Sequence, residues 1–190
     1  IGSLSPDENI NVSRLTATAI RGLTEISKPT VALIHGGCFG GGTGIAAACD
    51  IVLASNDAIF SITETRWGVM ASVIIPQLNA SIGVRNTRRY ALTCEHFDAK
   101  TACEIGLVHQ VCEVGELEAK AVSIIDHLLL AAPDATAQTK AAALKDANLI
   151  TSDEYFEELV LAHAAKRQSE EAIEGLTSFA EKRDPSWYRA

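Results

Sequence analysis

At 190 residues the chain can bury one sizeable core, and 47% hydrophobic with 21% charged residues is ordinary globular composition. A net charge of −8 argues against a broad nucleic-acid-binding surface, which needs clustered Lys and Arg, but leaves room for one local basic pocket. The cysteines, Cys38, Cys49, Cys94, Cys103 and Cys112, form no CxxC pair and have no histidines at zinc-ligand spacing. They read as reduced thiols of a cytoplasmic protein that holds no metal. No apolar run is long enough to span a bilayer, and no charged-then-apolar leader opens the sequence.

Ser5-Pro6-Asp7-Glu8 is a helix start: a capping hydroxyl, a proline in the first turn, and acids near the positive end of the dipole. Val12, Leu15, Ala19, Leu23 and Ile26 follow at spacings of three and four and predict the buried face. Lys28-Pro29 ends the helix, and the β-branched, apolar run 30–34 predicts a buried strand. A loop of small residues over 36–44 leads into a helix over 45–49. Two short strands, 51–54 and 58–61, are joined by the turn Ser55-Asn56-Asp57. Helices over 73–82 and 85–92 come next. Asp98 caps another that stops at Gly106, and 107–114 predicts a last strand. From Glu116 the pattern is helical, with breaks at Pro133 and near Ser152. Alternating strands and helices followed by helices alone indicate an α/β core, residues 1–115, with a helical C-terminal region, 116–190.

The glycine run is the feature that points to chemistry. A strand feeding small residues into a helix leaves backbone N–H groups unpaired at the helix N-terminus, where they stabilise a phosphate or a developing oxyanion. No Gly-Lys-Ser/Thr follows, which excludes a P-loop. Gly42-Thr43-Gly44-Ile45-Ala46-Ala47 fits a GxGxxA dinucleotide fingerprint, but no further βαβ units complete that sheet. A tight turn that needs glycine only for packing is the plain alternative. Glu64, just past a strand end and facing the glycines, could serve as general acid or base, or simply pair with Arg66 in solvent. His35 ends a strand and reads as a core hydrogen-bonder. His96, His109, His127 and His163 show no metal or Ser-His spacing, and there is no GxSxG elbow.

Several stretches together resemble the enoyl-CoA hydratase/isomerase (crotonase) family over essentially the whole chain. They run from Lys28-Pro29-Thr30-Val31-Ala32-Leu33-Ile34-His35-Gly36 through Gly40-Gly41-Gly42 to Ala48-Cys49-Asp50-Ile51. Ala58-Ile59-Phe60 with Thr63-Glu64, Leu92-Thr93 with Phe97-Asp98-Ala99, Gly106-Leu107-Val108, Glu174-Gly175-Leu176 and Phe179-Ala180-Glu181-Lys182-Arg183 continue the match. The resemblance implies a spiral of ββα turns followed by a helical trimerisation region, assembled as a trimer or a dimer of trimers. It also implies an acyl-CoA thioester substrate, with coenzyme A entering only as part of that substrate and no metal, nicotinamide or flavin. Neither nucleic acid nor membrane is an implied partner.

By the same resemblance Gly41 donates one oxyanion N–H and Glu64 is the acid–base residue. Phe39, Gly40, Gly44, Thr63 and Ser72 line the substrate, and Phe179 and Lys182 contact coenzyme A. The second oxyanion donor belongs to a Gly-Ala-Asp-like motif normally just upstream of the residue matching Ile1. The expectation is therefore that these 190 residues lack the first ββα units, that donor and part of the coenzyme A site. Two-carboxylate hydratases have a glutamate where this chain has Gly44. That glycine, with the run from Glu64 to Ser72, is most similar to methylglutaconyl-CoA and isohexenylglutaconyl-CoA hydratases. An enoyl-CoA isomerase and a non-catalytic acyl-CoA-binding relative are the alternatives.

Overall fold

Ser5 starts α1 (Pro6–Glu25) with a complete capping box: its hydroxyl accepts from the Glu8 N–H at 3.3 Å, and its own N–H donates to Glu8 Oε2 at 2.7 Å. The computed structural model describes residues 4–147 and 152–187. The face that α1 buries is not the apolar one: Asn9, Ser13, Ala17, Ile20 and Thr24 are buried, whereas Leu15 is 71% exposed and Val12, Ala19 and Ile26 are also exposed. The partner explains it. α1 packs along α7 (Asp153–Arg167), where small residues permit close approach and Ser13 Oγ lies 2.9 Å from His163 Nδ1.

Two three-stranded sheets make the β layer. The strands β1 (Val31–Ile34), β3 (Ile51–Ser55) and β6 (Gln110–Cys112) run parallel in the order β1-β3-β6, with Val31 opposite Ile51 and Leu53 opposite Gln110. In the second, β2 (Gly37–Phe39) pairs parallel with β4 (Ile59–Ser61), and β4 pairs antiparallel with β5 (Phe97–Asp98). The 51–54 and 58–61 strands thus lie in different sheets, and the turn between them is a corner. β1 is half-buried, with Leu33 exposed, and His35 beyond it is exposed instead of bonded in the core. The expected 107–114 strand shrinks to Gln110–Cys112, because the Leu107 and Val108 N–H groups donate back to the Ala102 carbonyl at 2.9 and 3.1 Å and close the end of the preceding helix instead of pairing in the sheet.

The glycine run also divides differently from expectation. Gly37 belongs to β2, and α2 (Gly41–Ala48) begins four residues before Ile45, so Gly41, Gly42 and Gly44 are helical. The α3 helix (Ile75–Thr93) is two segments broken at Gly83, whose φ of 73° and ψ of 154° leave the helical region. Asp98 caps α4 (Ala99–Glu104), accepting from Thr101 N–H at 2.8 Å. The C-terminal part comprises α5 (Leu117–Leu129), α6 (Pro133–Asp146), α7 and α8 (Glu170–Glu181); the Pro133 and Ser152 breaks are both present, and a third at Ser169 caps α8. α5 packs on β1 and β3, and α8 on the 3-10 turn Glu64–Trp67. The main core cluster surrounds Phe60, Ile62, Ile74, Leu78 and Val160, and a smaller one joins Leu53, Cys112, Leu117 and Ala121 where α5 meets the first sheet. No helix among the described residues is long and apolar enough to cross a membrane.

Candidate active site

At the end of β2 the chain turns sharply through Gly40, at φ 51° and ψ −121°, and enters α2. That positive φ favours glycine, and a Cβ there would press on the site, 3.0 Å from Thr63 Oγ1 and 3.2 Å from Glu64 Oε1. Gly40 N–H donates to the Ser61 carbonyl at 2.9 Å, tying the turn to β4. Thr43 closes the first helical turn, its N–H and hydroxyl donating to the Gly40 carbonyl at 2.9 and 2.6 Å. Gly41 sits exposed at the first helical position, and its N–H makes no hydrogen bond among the described residues. Helix geometry leaves that donor free, with the positive end of the dipole behind it.

Glu64 opens the 3-10 turn directly after Thr63. It is not paired with Arg66, whose guanidinium reaches toward the Cys94 carbonyl at 3.4 Å. Its carboxylate is half-buried beside Gly40, and Oε2 is enclosed with no hydrogen-bond partner among the described residues. Burial raises its pKa above the usual glutamate value, offset in part by the backbone N–H groups of Glu64 and Thr63. An enclosed carboxylate that holds its proton more tightly, beside an unpaired N–H at a helix start, suits proton transfer next to a developing oxyanion.

The other expected residues fall in different places. Gly44 is buried, and a Cβ on it would meet Ile74 Cγ2 at 2.1 Å and Ile74 Cβ at 2.7 Å. Ile74 fills the space a side chain at 44 would need, so Gly44 serves packing and does not line an open pocket. Ser72 is buried, its hydroxyl donating to the Leu159 carbonyl at 3.0 Å, so it fastens the chain to α7 rather than facing a ligand. Phe39 points outward, 45% exposed, and stacks on His96 with ring centroids 5.4 Å apart. Phe179 and Lys182 lie on and just past α8; Phe179 stands edge-on to Trp67 at 4.9 Å, and Lys182, exposed, makes no ion pair among the described residues. The structure therefore gathers Gly40, Gly41, Thr63 and Glu64 into one locus, while Phe179 packs on Trp67, which ends the same 3-10 turn. Thr43 and Ile74 also shape that locus, and in the sequence only the glycine at 44 signals that a large neighbour fills its place. Among the described residues no three His, Cys, Asp or Glu side chains cluster as a metal site.

A crotonase-like α/β fold with a glycine-started helix beside an enclosed carboxylate defines a class of protein, and comparison with known proteins agrees. The sequence matches the enoyl-CoA hydratase/isomerase family over residues 8–190, and the chain belongs to that family. It is 37% identical over 169 residues to a mitochondrial Delta(3,5)-Delta(2,4)-dienoyl-CoA isomerase of Dictyostelium discoideum, covering 86% of this chain and 56% of that protein. A mevalonyl-coenzyme A hydratase of Aspergillus fumigatus is 31% identical over 92% of this chain and 66% of its own length. The crystal structure of an enoyl-CoA hydratase from Mycobacterium avium superposes with a TM-score of 0.87 at 33% identity, covering 96% of this chain and 72% of that one. The chain thus spans a little over half to about two thirds of these two curated relatives.

Proposed function

We propose that this chain carries the acid–base residue and one oxyanion donor of an enoyl-CoA hydratase acting on a branched, glutaconyl-type thioester. The observation that carries the reading is Glu64: a half-buried carboxylate with an enclosed, unpaired oxygen, set against the glycine turn that presents the Gly41 N–H. In hydration Glu64 takes a proton from water as the oxygen adds to the β-carbon. The thioester carbonyl becomes an enolate, whose charge the Gly41 N–H stabilises, and Glu64 returns the proton to the α-carbon. With Ile74 filling the place of a side chain at position 44, one carboxylate performs both transfers. Such a positioned acid–base group contributes about 10²–10⁴-fold, and one oxyanion donor about 2.7–4 kcal/mol. The glutaconyl preference rests on the resemblance of the Glu64–Ser72 run. Assembly as a trimer or a dimer of trimers in the cytoplasm, with Phe179 and Lys182 contacting coenzyme A, belongs to the same reading.

The test is turnover of 3-methylglutaconyl-CoA, isohexenylglutaconyl-CoA and crotonyl-CoA in oxygen-labelled water by the protein and its Glu64→Gln variant. Label in the β-hydroxyl group, with a loss of about 10²-fold or more in the variant, supports hydration; a variant that keeps full turnover refutes the role of Glu64. The similarity to a dienoyl-CoA isomerase favours a second reading, in which Glu64 shuttles a proton between carbons. A shifted double bond without label identifies that case.

A further inference from the structure

The turn that carries Glu64 is clamped from two sides. On one flank α3 holds it: the Thr65 hydroxyl donates to the Ala91 carbonyl at 2.6 Å. On the other flank α8 approaches backbone to backbone. Gly68, at φ 68°, closes the 3-10 turn, and a Cβ on it would lie 2.4 Å from the Glu171 carbonyl oxygen. The contact is reciprocal, since a Cβ on Gly175 would lie 2.3 Å from the Trp67 carbonyl oxygen. Each glycine accepts the other segment's main chain at a spacing that no side chain allows. Around this interlock Ala172 and Ser178 are wholly buried, and the Ser178 hydroxyl is satisfied within the helix by the Gly175 carbonyl at 2.8 Å. Next to Gly68, the Val69 N–H donates to the Glu64 carbonyl at 3.1 Å and closes the turn on the glutamate's own backbone.

We propose that the Gly68–Gly175 interlock is a positioning element for Glu64: α8, docked by its backbone on the 3-10 turn, sets where the carboxylate sits relative to Gly40 and Gly41. The two segments are about a hundred residues apart in sequence, so no local preference of the turn could supply this constraint. Main-chain contact tolerates no sliding, and catalytic groups displaced by about 1 Å can lose about 10²-fold in rate. Phe179 rests on Trp67 from the same helix, so anything that orders α8 also orders the turn beneath it. The inference rests on the reading of Glu64 as the acid–base residue, and its readouts are chosen to separate the two.

The decisive readout needs no substrate: titration of the Glu64 carboxyl by carbon-13 NMR, its signal assigned by Glu64→Gln. Gly175→Ala and Gly68→Ala should each bring the raised Glu64 pKa down toward an ordinary glutamate. Ile173→Ala, at an exposed residue of the same helix, should leave it unchanged. In turnover, Gly175→Ala should lower kcat about 10²-fold with a smaller change in KM and a shifted pH profile. An unchanged Glu64 titration in folded Gly175→Ala overturns the inference. If Glu64→Gln keeps full activity, the functional reading fails while the titration still decides the positioning. Should both glycine variants fail to fold, hydrogen exchange on the wild type decides: the Val69 amide must open together with the α8 amides, and independent opening overturns the proposal.

Discussion

Replacing Gly44 by alanine would put a methyl group where Ile74 already is. On helix propensity alone the change should stabilise an interior helical position by up to about 1 kcal/mol. The surroundings forbid that gain: the new Cβ would stand 2.1 Å from Ile74 Cγ2 and 2.7 Å from Ile74 Cβ, against a carbon–carbon optimum of about 3.5–4.0 Å. A rotamer change could carry Cγ2 away, but Cβ moves only with the backbone. The 3-10 turn Ser72–Ile74 must therefore shift off α2, and Ile74 is 1% exposed within the core cluster. Overpacking of this kind costs about 1–3 kcal/mol, so after the propensity gain of about 1 kcal/mol the net expectation is a loss of up to about 2 kcal/mol. Ile74→Ala alone should lose about 2–5 kcal/mol by leaving a cavity. Combined, the two changes should compensate, since the methyl at 44 enters space that Ile74 has vacated; the double variant should fall short of the sum by about 1–3 kcal/mol. Urea unfolding of the four proteins, with m-values compared, measures the cycle. Additivity within about 0.5 kcal/mol, or a stabilised Gly44→Ala, would refute the packing account and reopen position 44 as ligand space.

Burial raises the Glu64 pKa, so the folded chain holds that proton more tightly than the unfolded one. Its contribution is complete below the ordinary glutamate value of 4.5 and is lost as pH rises through the raised value. Glu64→Gln should consequently raise the midpoint of thermal unfolding at neutral pH, with the gain vanishing below pH 4.5; a variant less stable at pH 7 would contradict this. His163 has the opposite sign: burial, with Arg167 nearby, lowers its pKa from 6.5 to about 4. Stability should thus fall as pH drops from 6.5 to about 4, by at most about 3.4 kcal/mol at 1.36 kcal/mol per unit. His163→Gln should flatten that limb in denaturant titrations at successive pH values, and an unaltered limb would rule His163 out. Ser5→Ala removes one half of the capping box on α1 and should cost about 1 kcal/mol in urea unfolding. A loss below about 0.3 kcal/mol, less than the range measured for such caps, would mean the helix start frays without consequence.

What could be read from the sequence was what neighbouring residues decide between them. Ser5 with Glu8, Asp98 with Thr101 and Ser152 with Tyr155 are caps formed within three residues, and each helix starts where its cap stands. The glycine run named the strand-to-helix turn for the same reason, although the helix begins at Gly41 because glycines there are tolerated once Thr43 closes the first turn on Gly40. What could not be read depends on distant partners. The buried face of α1 is chosen by α7, which brings His163 to Ser13 across 150 positions and leaves the apolar Leu15 outside. The Ser72 hydroxyl likewise finds its partner, the Leu159 carbonyl, 87 residues away, where no local pattern announces it.

The same division runs through the candidate site. The proposed oxyanion donor is a backbone N–H, dictated by a local turn, and can be recognised in the order of glycines. The proposed acid–base residue, Glu64, is a side chain whose titration depends on enclosure, beside Gly40 from one segment and on a turn held by α3 and α8 from two others. A glutamate at position 64 in a free peptide would titrate as an ordinary carboxylate; the raised pKa exists only once the 3-10 turn is seated against these elements. Substitutions at Gly68 or Gly175, which touch no reacting group, are accordingly expected to act on proton transfer, whereas a change at Gly44 is expected to act first on stability.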